Sequence, residues 1–344
     1  MKSHYVSDLR PGIRVDDVFL ICSKSLAEAR NGSSYIRLKL GDRTGTVDAF
    51  KWDASEKIYA ELPDDDFVQV LGTVKAHDGK LQIVVDSFHP CTDKVDLSDF
   101  LPSSERDARE MLEEMRRIIE SVRHSHLRAL IDHFMDDEKF LSRFSTAPAA
   151  QKIHHACLGG LLEHSLSVAK MCDMVSSHYR GINRDLLITG ALLHDIGKVE
   201  EFCWDGAIRY SNSGHFIGHV VGGTMMVEKA AESIPGFDPL LKLLITHVIL
   251  AHHGQRDFGS PKRPKCVEAL ILHYLEDMDA KVNAFQQAIA GGLHEDEAEF
   301  WTERHWLFDR PLFKGLPRPA AETSNDALDP SDELGVDGDP SPSA

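Results

Sequence analysis

The sequence lacks the features that would place it in a membrane or in an oxidising compartment. No window reaches ~18 consecutive apolar residues, so a membrane-spanning helix is not expected. The first residues, MKSHYVSDLRPG, have no apolar core of the kind that a signal peptide carries. The chain has only six cysteines and no CxxC pair, which argues against a zinc ribbon or a disulfide framework. These absences predict a cytoplasmic protein with reduced thiols.

Positively charged residues are also fewer than acidic ones, and the formal net charge is therefore −17. Part of the acidic excess lies from Arg318 onward, where seven acidic residues accompany one basic residue in a stretch rich in proline, serine and glycine. This composition predicts a disordered acidic tail over 317–344. The remainder is still acidic, so any contact with nucleic acid must come from a local basic patch.

Residues 13–90 consist of short apolar runs separated by turn signals such as Asn31-Gly32 and Asp78-Gly79. The runs predict five strands, which are VDDVFLIC, SYIRLKLGD, TGTVDAFKW, FVQVLGTVKA and KLQIVVDSF. Between the third and the fourth, SEKIYAEL predicts a short helix. Five strands with a helix in that place follow the order of an OB-fold barrel. We therefore predict an OB-fold domain over 1–92.

The apolar spacing becomes helical after the barrel. Met111, Met115 and Ile119 belong to one stripe, which predicts a helical linker over 93–150. Further helices are predicted at 185–195, 219–233, 238–252 and 266–290. The predicted fold is multidomain: an N-terminal all-β barrel, a helical linker, an all-α domain over 151–316, and a disordered acidic C-terminal tail.

Histidine is abundant, with 19 residues that fall mostly in the helical region. The segment GALLHDIGK places His194 and Asp195 after an apolar helix, and adjacent side chains can serve one metal only near a helix end, which Gly197 is expected to supply. His164 lies beside the apolar stripe of another helix. Imidazole and carboxylate together suit Mn, Fe, Zn or Mg. Such a cation lowers the pKa of water toward ~7 and polarises a phosphoryl oxygen, which predicts hydrolysis of phosphate esters.

The last predicted helix offers three carboxylates that could complete the ligand set. At about 100° per residue, Glu276 points away from the apolar stripe that includes Leu270 and Tyr274, whereas Asp277 and Asp279 flank its edges. This geometry favours Asp279, followed by Asp277 and then Glu276. The predicted metal ligands are His164, His194, Asp195 and Asp279.

The ordered motif His…His-Asp…Asp resembles the HD superfamily of metal-dependent phosphohydrolases. Joined to an OB barrel, it is similar to the YhaM-type 3′-to-5′ exoribonucleases, and the likeness spans nearly the whole chain apart from the acidic tail. The segments that carry it are HHACLGGLLEHSLSV, LITGALLHDIGK, ILAHHGQRDFGSPKRP, EALILHYLEDMDAK and WTERHWLF. One departure is Glu276, which stands where an Asp is expected from the family.

The resemblance implies ligation by His164, His194, Asp195 and an Asp of the last helix. It also implies that Lys198 lies near the scissile phosphate, although a helix-terminal cation is an equal alternative for this residue. His219 and either His252 or His253 would bind phosphate or a second metal, and His219 or His253 would assist the leaving oxygen as a general acid. The expected cofactor is a divalent metal, manganese before magnesium, iron, cobalt or zinc.

Aromatic and cationic residues on neighbouring predicted strands indicate a contact with nucleic acid. Phe50 and Trp52 share one strand face, and with Tyr35 they would offer a stacking platform for single-stranded nucleic acid, although a core position is an equal alternative for each ring. A loop of the helical domain, GSPKRPK, could guide an RNA backbone or simply be solvated. The residues predicted to bind nucleic acid are Tyr35, Arg37, Trp52, Lys262 and Arg263.

The primary functional prediction is a metal-dependent exoribonuclease that shortens single-stranded RNA, or single-stranded DNA, from the 3′ end. One alternative is an HD phosphohydrolase for a small nucleotide or a cyclic dinucleotide. A second alternative is a non-enzymatic OB-type nucleic-acid-binding protein, against which the complete ligand set counts. Homo-oligomers would be in keeping with the resemblance.

Overall fold

The computed structural model describes residues 2–29, 32–64, 66–91, 95–151, 155–291 and 300–315. The predicted acidic tail lies outside these ranges. By internal contacts the chain divides into one unit that ends at Phe285 and another that begins at Gln286. In the second unit, β-bridges pair Trp301 with Phe313 and His305 with Arg310. The barrel and the helices described below belong to the first unit, apart from the end of the last helix.

The N-terminal strands close into a five-stranded barrel. Its elements are β1 (Arg14–Glu28), β2 (Ser34–Asp42), β3 (Gly45–Lys51), α1 (Glu56–Glu61), β4 (Phe67–His77) and β5 (Lys80–Pro90). The strand order is β1-β2-β3-β5-β4, with β3 and β5 parallel and the other neighbours antiparallel. The barrel and the helix between its third and fourth strands confirm the predicted OB fold.

Strand alternation separates the barrel core from its outer face. On β2, Ile36 and Leu38 are fully buried, whereas Arg37 between them is exposed. On β3, Ala49 is fully buried and Phe50 is only partly buried. Because successive side chains of a strand point to opposite faces, this burial pattern sets which residues can reach a ligand outside the barrel.

From Ala108 to Gly291 the described regular elements are helices, apart from one small sheet. These elements are α2 (Ala108–Glu120), α3 (Ser125–Met135), α4 (Glu138–Phe144), α5 (Gly160–His178), α6 (Arg184–Leu193), α7 (Lys198–Glu201), β6 (Phe202–Cys203), β7 (Arg209–Tyr210), α8 (Asn212–Phe216), α9 (His219–Ser233), α10 (Pro239–Ala251) and α11 (Val267–Gly291). The β6–β7 pair was not expected in an all-α domain. No helix in the described ranges is long and apolar enough to span a membrane.

The helical core surrounds α6, whose last eight residues are all buried. A helix that is apolar on every side needs neighbours on every side, and α5 and α10 supply part of this packing. The segment predicted as a linker also contributes, because Met111, Leu127 and Phe144 belong to the same hydrophobic cluster as Leu187 and Val248. The helices α2, α3 and α4 are therefore part of the scaffold that holds the end of α6.

Candidate metal centre

Several helix ends bring histidine and aspartate side chains to one place. His164 lies on α5, His194 and Asp195 follow the end of α6, and His219 is the first residue of α9. His252 and His253 follow the end of α10. His194 is the C-cap of α6, which ends at Leu193, and Asp195 follows in the next turn, so both adjacent side chains can face the cluster. The structure therefore brings together His164, His194 and Asp195, as the sequence predicted.

One side of the cluster consists of His164, His194 and one oxygen of Asp195. The Nε2 atoms of His164 and His194 lie 3.3 Å apart. Asp195 Oδ2 lies 3.6 Å from His164 Nε2 and 3.4 Å from His194 Nε2. All three side chains are almost completely buried. Two imidazole nitrogens and a carboxylate oxygen converging in this way match the ligand types of a divalent transition metal.

The other oxygen of Asp195 faces a second group of histidines. Asp195 Oδ1 lies 3.5 Å from His219 Nε2 and 3.6 Å from His252 Nε2. His253 completes this group, with its Nε2 atom 3.1 Å from His219 Nε2. Both His252 and His253 thus face the cluster, whereas the sequence led us to expect one functional and one structural residue. Asp195 connects the two groups through its two oxygens.

Hydrogen bonds fix the orientation of four of these rings. His194 Nδ1 donates to the Ala191 carbonyl at 2.9 Å, and His252 Nδ1 donates to the Ile249 carbonyl at 2.6 Å. His164 and His219 donate from Nδ1 to carboxylates, as described below. Because Nδ1 carries the proton, Nε2 presents a lone pair to the cluster, which is the usual arrangement of a histidine metal ligand.

The polar atoms at the centre are those expected of a metal site. Both carboxylate oxygens of Asp195 and Nε2 of His252 have no hydrogen bond of acceptable geometry from any residue the structure describes, although the Lys198 ammonium lies 2.6 Å from Asp195 Oδ2. Leaving buried polar atoms without partners is costly. A divalent cation bound between these lone pairs would remove that cost, so the donor set fits a metal.

The charge states of the cluster also suit metal binding. Burial alone would raise the pKa of Asp195, but the Lys198 ammonium and the His194 imidazole hold it well below its usual range. Burial lowers the pKa of His164 to about 4 and, together with the neighbouring His219, lowers that of His253 to about 3. For Asp195, His164 and His253 the results are a carboxylate and neutral imidazoles, which are the protonation states in which side chains bind metals. Burial would also lower the pKa of His194, but the charge of Asp195 outweighs this effect and raises it instead.

Two carboxylates orient histidines of the cluster by accepting hydrogen bonds from their Nδ1 atoms. The sequence did not assign this role to either carboxylate. Glu201 lies at the end of α7, and its Oε2 atom accepts from His219 Nδ1 at 2.9 Å. Asp279 on α11 accepts from His164 Nδ1 at 2.8 Å and also contacts His155 Nε2 at 3.3 Å. Carboxylates in such positions fix the tautomer of a ligating histidine and raise its basicity.

The structure places Asp279 with His155 and His164 in a group that could hold a metal, beside but not within the group of His164, His194 and Asp195 in which the sequence predicted it. The apolar stripe used to orient α11 points to solvent, with Leu270 45% and Tyr274 62% exposed. The buried face of the helix carries Glu276, Ala269 and Leu272 instead. Burial raises the pKa of Glu276 to about 7, and the charge of Asp195 adds to this effect. Asp277 is paired with Lys281 at 2.7 Å.

A cavity of about 350 Å³ opens onto the cluster. Its wall includes Lys198, His219, His253 and Glu276. The three residues predicted to take part in catalysis, Lys198, His219 and His253, are thus on the surface that a substrate entering this cavity would meet. The volume lies within the range of ~300–1,000 Å³ that is typical of small-ligand sites.

Gly197 acts through its missing side chain and not through a left-handed backbone. Its φ is −62°, and it stands at the start of α7, whereas the sequence led us to expect it at the end of α6. A Cβ atom at this position would lie 2.1 Å from the His219 carbonyl oxygen and 2.6 Å from the Gly223 nitrogen. Gly197 therefore allows α9, with His219, to approach the His-Asp turn.

We expect Gly197→Ala to destabilise the protein by about 3 kcal/mol and to weaken metal binding, because the methyl group would push α9 away from Asp195. Chemical denaturation followed by far-UV circular dichroism would measure the first effect, and metal titration the second. Gly222→Ala is a matched control on α9, since nothing lies within 4 Å of the added Cβ. It should leave both properties unchanged or stabilise the helix by up to ~1 kcal/mol. Equal behaviour of the two variants would contradict the packing argument.

The predicted nucleic-acid residues of the barrel form a ring cluster outside its core. Tyr35 lies 4.9 Å from Trp52 and 6.2 Å from Phe50, and the Phe50 and Trp52 rings are stacked 6.0 Å apart. Arg37 lies over Phe50 and pairs with Asp48 at 3.1 Å. None of the three aromatic residues belongs to the described barrel core, so the alternative of a core position is excluded.

Lys262 and Arg263 are exposed in the loop that precedes α11. Lys262 is close enough to α10 that its positive charge contributes, after burial and Lys265, to lowering the pKa of His247. His247 itself accepts a hydrogen bond from the Lys265 backbone at 2.8 Å. The two exposed cations remain candidates for a contact with a nucleic-acid backbone.

Comparison with known proteins agrees with both parts of this architecture. The family model of the HD domain matches residues 161–281, and that of an OB-fold nucleic acid binding domain matches residues 18–90. The 3′-5′ exoribonuclease YhaM of Bacillus velezensis is 32% identical over 280 residues, which cover 81% of this chain and 88% of the relative. The YhaM protein of Geobacillus sp. is 32% identical over 312 residues, which cover 89% of this chain and 94% of the relative. That of Bacillus subtilis is 31% identical over 280 residues, with 81% and 88% covered.

An OB barrel and a buried cluster of histidine and aspartate in an HD domain define a metal-dependent phosphohydrolase that also carries a nucleic-acid-binding domain. The relatives match this combination over most of their length and of this chain. The chain belongs to the YhaM 3′-5′ exoribonuclease family. It is therefore a hydrolase that acts on phosphodiester bonds.

Proposed function

We propose that this protein removes nucleotides from the 3′ end of single-stranded RNA, using two divalent cations that share Asp195. The observation that carries the proposal is the position of Asp195, whose two buried oxygens face two separate groups of histidines. A two-cation centre can stabilise both the attacking and the leaving oxygen of a phosphodiester. The barrel supplies the surface for the single strand.

The first cation would be held by the inner group of side chains and by the buried carboxylate of α11. These ligands are His164, His194, Asp195 and Glu276. The second would be held by Asp195 and the histidines at the ends of α9 and α10, which are His219, His252 and His253. Manganese suits this mixture of imidazole and carboxylate, as do magnesium, iron, cobalt and zinc to different degrees. A divalent cation supplies Lewis-acid polarisation of the phosphoryl oxygen and a lowered pKa of water.

Lys198 is the residue that we assign to the phosphate itself. Its ammonium group is buried beside Asp195 and lines the cavity. A fixed cation at this position stabilises negative charge that develops on the phosphoryl oxygens during hydrolysis. The lowered pKa of His253 supports a role as a neutral ligand and not as a general acid.

The barrel cluster of Tyr35, Phe50 and Trp52 is proposed to stack on bases upstream of the reacting end. Trp52 is 44% exposed, so its ring can meet a base directly. Stacking does not depend on base identity, which suits an exonuclease that must pass along different sequences. Arg37, Lys262 and Arg263 are proposed to contact phosphates.

Trp52→Ala is expected to weaken binding of single-stranded RNA by about 10-fold, since a stacked base contributes roughly 1–3 kcal/mol. The salt dependence of binding should stay unchanged, because no phosphate contact is lost. Fluorescence anisotropy with a labelled oligoribonucleotide at several salt concentrations would measure both. Phe258→Ala removes an aromatic ring that is 62% exposed on the helical domain and serves as the control. An equal loss in both variants would contradict the assignment.

The overall proposal is tested with a purified protein and an oligoribonucleotide labelled at its 5′ end. Successive shortening in the presence of manganese, its loss on chelation, and two metal ions per chain are the expected results. An RNA blocked at the 3′ end should resist degradation. Hydrolysis of mononucleotides or cyclic dinucleotides alone would overturn the proposal.

We also propose that the chain assembles into a homo-oligomer through the exposed face of α11. That face carries five large apolar side chains, each at least 44% exposed, which are Val267, Leu270, Tyr274, Met278 and Val282. Exposed apolar stripes of this kind mark protein contacts. Light scattering coupled to size-exclusion chromatography tests the proposal, and a monomeric mass for the full chain would overturn it.

A further inference from the structure

The β6–β7 hairpin places one aromatic ring at the cavity above the metal centre. Tyr210, the last residue of β7, lines this cavity together with Lys198, His219 and Glu276. Its side chain is 42% exposed, whereas Asp195 and His252 in the cluster are almost completely buried. An exposed ring at the entrance of a polar catalytic cavity offers a flat apolar surface that the hydrolytic site itself does not use.

The Tyr210 ring contacts two other rings. Its centroid lies 5.1 Å from that of Phe202, the strand partner on β6, and 5.4 Å from that of His215 on α8. Phe202 is buried and belongs to the wall of the same cavity. A ring held in this way loses little further freedom when a ligand stacks on it.

The hairpin is also tied directly to the metal centre. The backbone nitrogen of Ser211, the residue after Tyr210, donates to the Glu201 carbonyl at 2.8 Å. The Glu201 side chain holds His219 through its carboxylate. On the other side of the hairpin, Gln151 donates to the Ile208 carbonyl at 3.2 Å. Tyr210 therefore has a defined position relative to His219.

We propose that Tyr210 stacks on the base of the 3′-terminal nucleotide and so places the terminal phosphodiester at the metal centre. The inference rests on the proposed function and adds the residue that recognises the reacting end. The cavity of about 350 Å³ accommodates a single nucleotide. Lys198 lies beside Asp195 and lines the cavity, where it would meet the phosphate of that nucleotide, and the Tyr210 ring would meet its base. Since every base has a π-face, this contact positions the terminal nucleotide without selecting its sequence.

The test compares Tyr210→Ala and Tyr210→Phe on two matched oligoribonucleotides, one with an ordinary 3′-terminal nucleotide and one with a 3′-terminal abasic ribose. Single-turnover release of the first nucleotide, measured over a range of enzyme concentrations, separates binding from the chemical step. Tyr179→Ala is the control, because Tyr179 is 58% exposed at the end of α5 and does not line the cavity.

On the ordinary substrate, Tyr210→Ala should raise the half-saturating concentration by about 10-fold. Tyr210→Phe and Tyr179→Ala should stay within about twofold of the wild type, since the stacking ring at 210 is kept in both. On the abasic substrate, Tyr210→Ala and the wild type should behave alike. An equal loss on both substrates would mean that Tyr210 only supports the fold and would overturn the inference. A wild type that degrades no oligonucleotide would instead overturn the proposed function, and this inference with it.

A second readout does not require hydrolysis. An oligoribonucleotide with 2-aminopurine at its 3′ end is mixed with protein in a chelator, and its fluorescence is recorded. Stacking on Tyr210 should quench the wild-type complex, and Tyr210→Ala at saturating protein should restore the fluorescence. Quenching that persists in this variant would overturn the inference even if the kinetic result agreed.

Discussion

Asp195→Ala is expected to lower the rate of phosphodiester hydrolysis by at least about 1,000-fold and to remove bound metal from the protein. Asp195 is the one side chain in the described cluster with an oxygen toward each group of histidines. Its loss would remove a ligand of both proposed cations, which contribute several kcal/mol to stabilising the transition state. A tenfold change in rate corresponds to about 1.36 kcal/mol. Elemental analysis of the purified protein and the single-turnover rate are the two measurements.

A lower rate alone could reflect unfolding, because Asp195→Ala also leaves the buried Lys198 ammonium without its partner. Asp195→Asn keeps the size of the side chain, and the double variant Asp195→Asn with Lys198→Met removes the unpaired charge. Both should retain the helical circular dichroism spectrum and still lack activity. Asp257→Asn, at an exposed position, is the matched control. Wild-type metal content and rate in Asp195→Asn would contradict the metal centre as a whole.

Much of the fold could be predicted from the sequence because its signals are local. The observed bounds of β2 and of α9 coincide with the predicted ones, since turn residues and a change of apolar period delimit both segments. The β6–β7 hairpin escaped prediction because strands of two residues are too short to show a period. That hairpin carries Tyr210, so a residue at the cavity was missed along with it.

In the candidate site, only the residues that belong to a sequence motif could be predicted. His164, His194 and Asp195 come together as expected, but the role of Gly197 depends on how closely α9 approaches, which no local pattern reveals. Glu201 was missed because a glutamate that follows a lysine-containing turn is usually exposed, and nothing in its local sequence distinguishes it. Its contact with His219 joins residues 18 positions apart.

The orientation of α11 shows most clearly where periodicity misleads. A helix normally turns its apolar stripe toward the core, but here α11 turns the side that carries Glu276 toward the cavity beside the histidine and aspartate cluster. Glu276 and Ala269 are therefore buried, and Tyr274 is exposed. The stripe gives the position of each carboxylate relative to the apolar face, but it does not tell which face is inside.

The three carboxylates of α11 allow a test, within one helix, of the proposal that Glu276 is a metal ligand and that Asp279 orients His164. Glu276→Gln is expected to reduce metal affinity by more than about 100-fold, because a direct ligand should cost more than the ~10–100-fold that is typical of a carboxylate behind a ligand. Asp279→Asn should fall within that lower range, since it replaces the charged acceptor that orients His164 with a neutral amide. Asp277→Asn should change affinity by less than about twofold, because Asp277 pairs only with Lys281 in the part of the chain described.

Metal titration by calorimetry distinguishes the three variants without reference to catalysis, and it also separates a ligand from a merely structural residue. Loss of Glu276 should reduce the number of tightly bound ions from two to one, because only the inner group depends on it. Loss of Asp279 should weaken the same ion while the stoichiometry is kept, since His164 stays in place with a less basic ring. The opposite order, with Asp279→Asn losing an ion and Glu276→Gln retaining both, would assign the ligand role to Asp279. In that case α11 would have to rotate on metal binding, so that Asp279 leaves Nδ1 of His164 and enters the cluster.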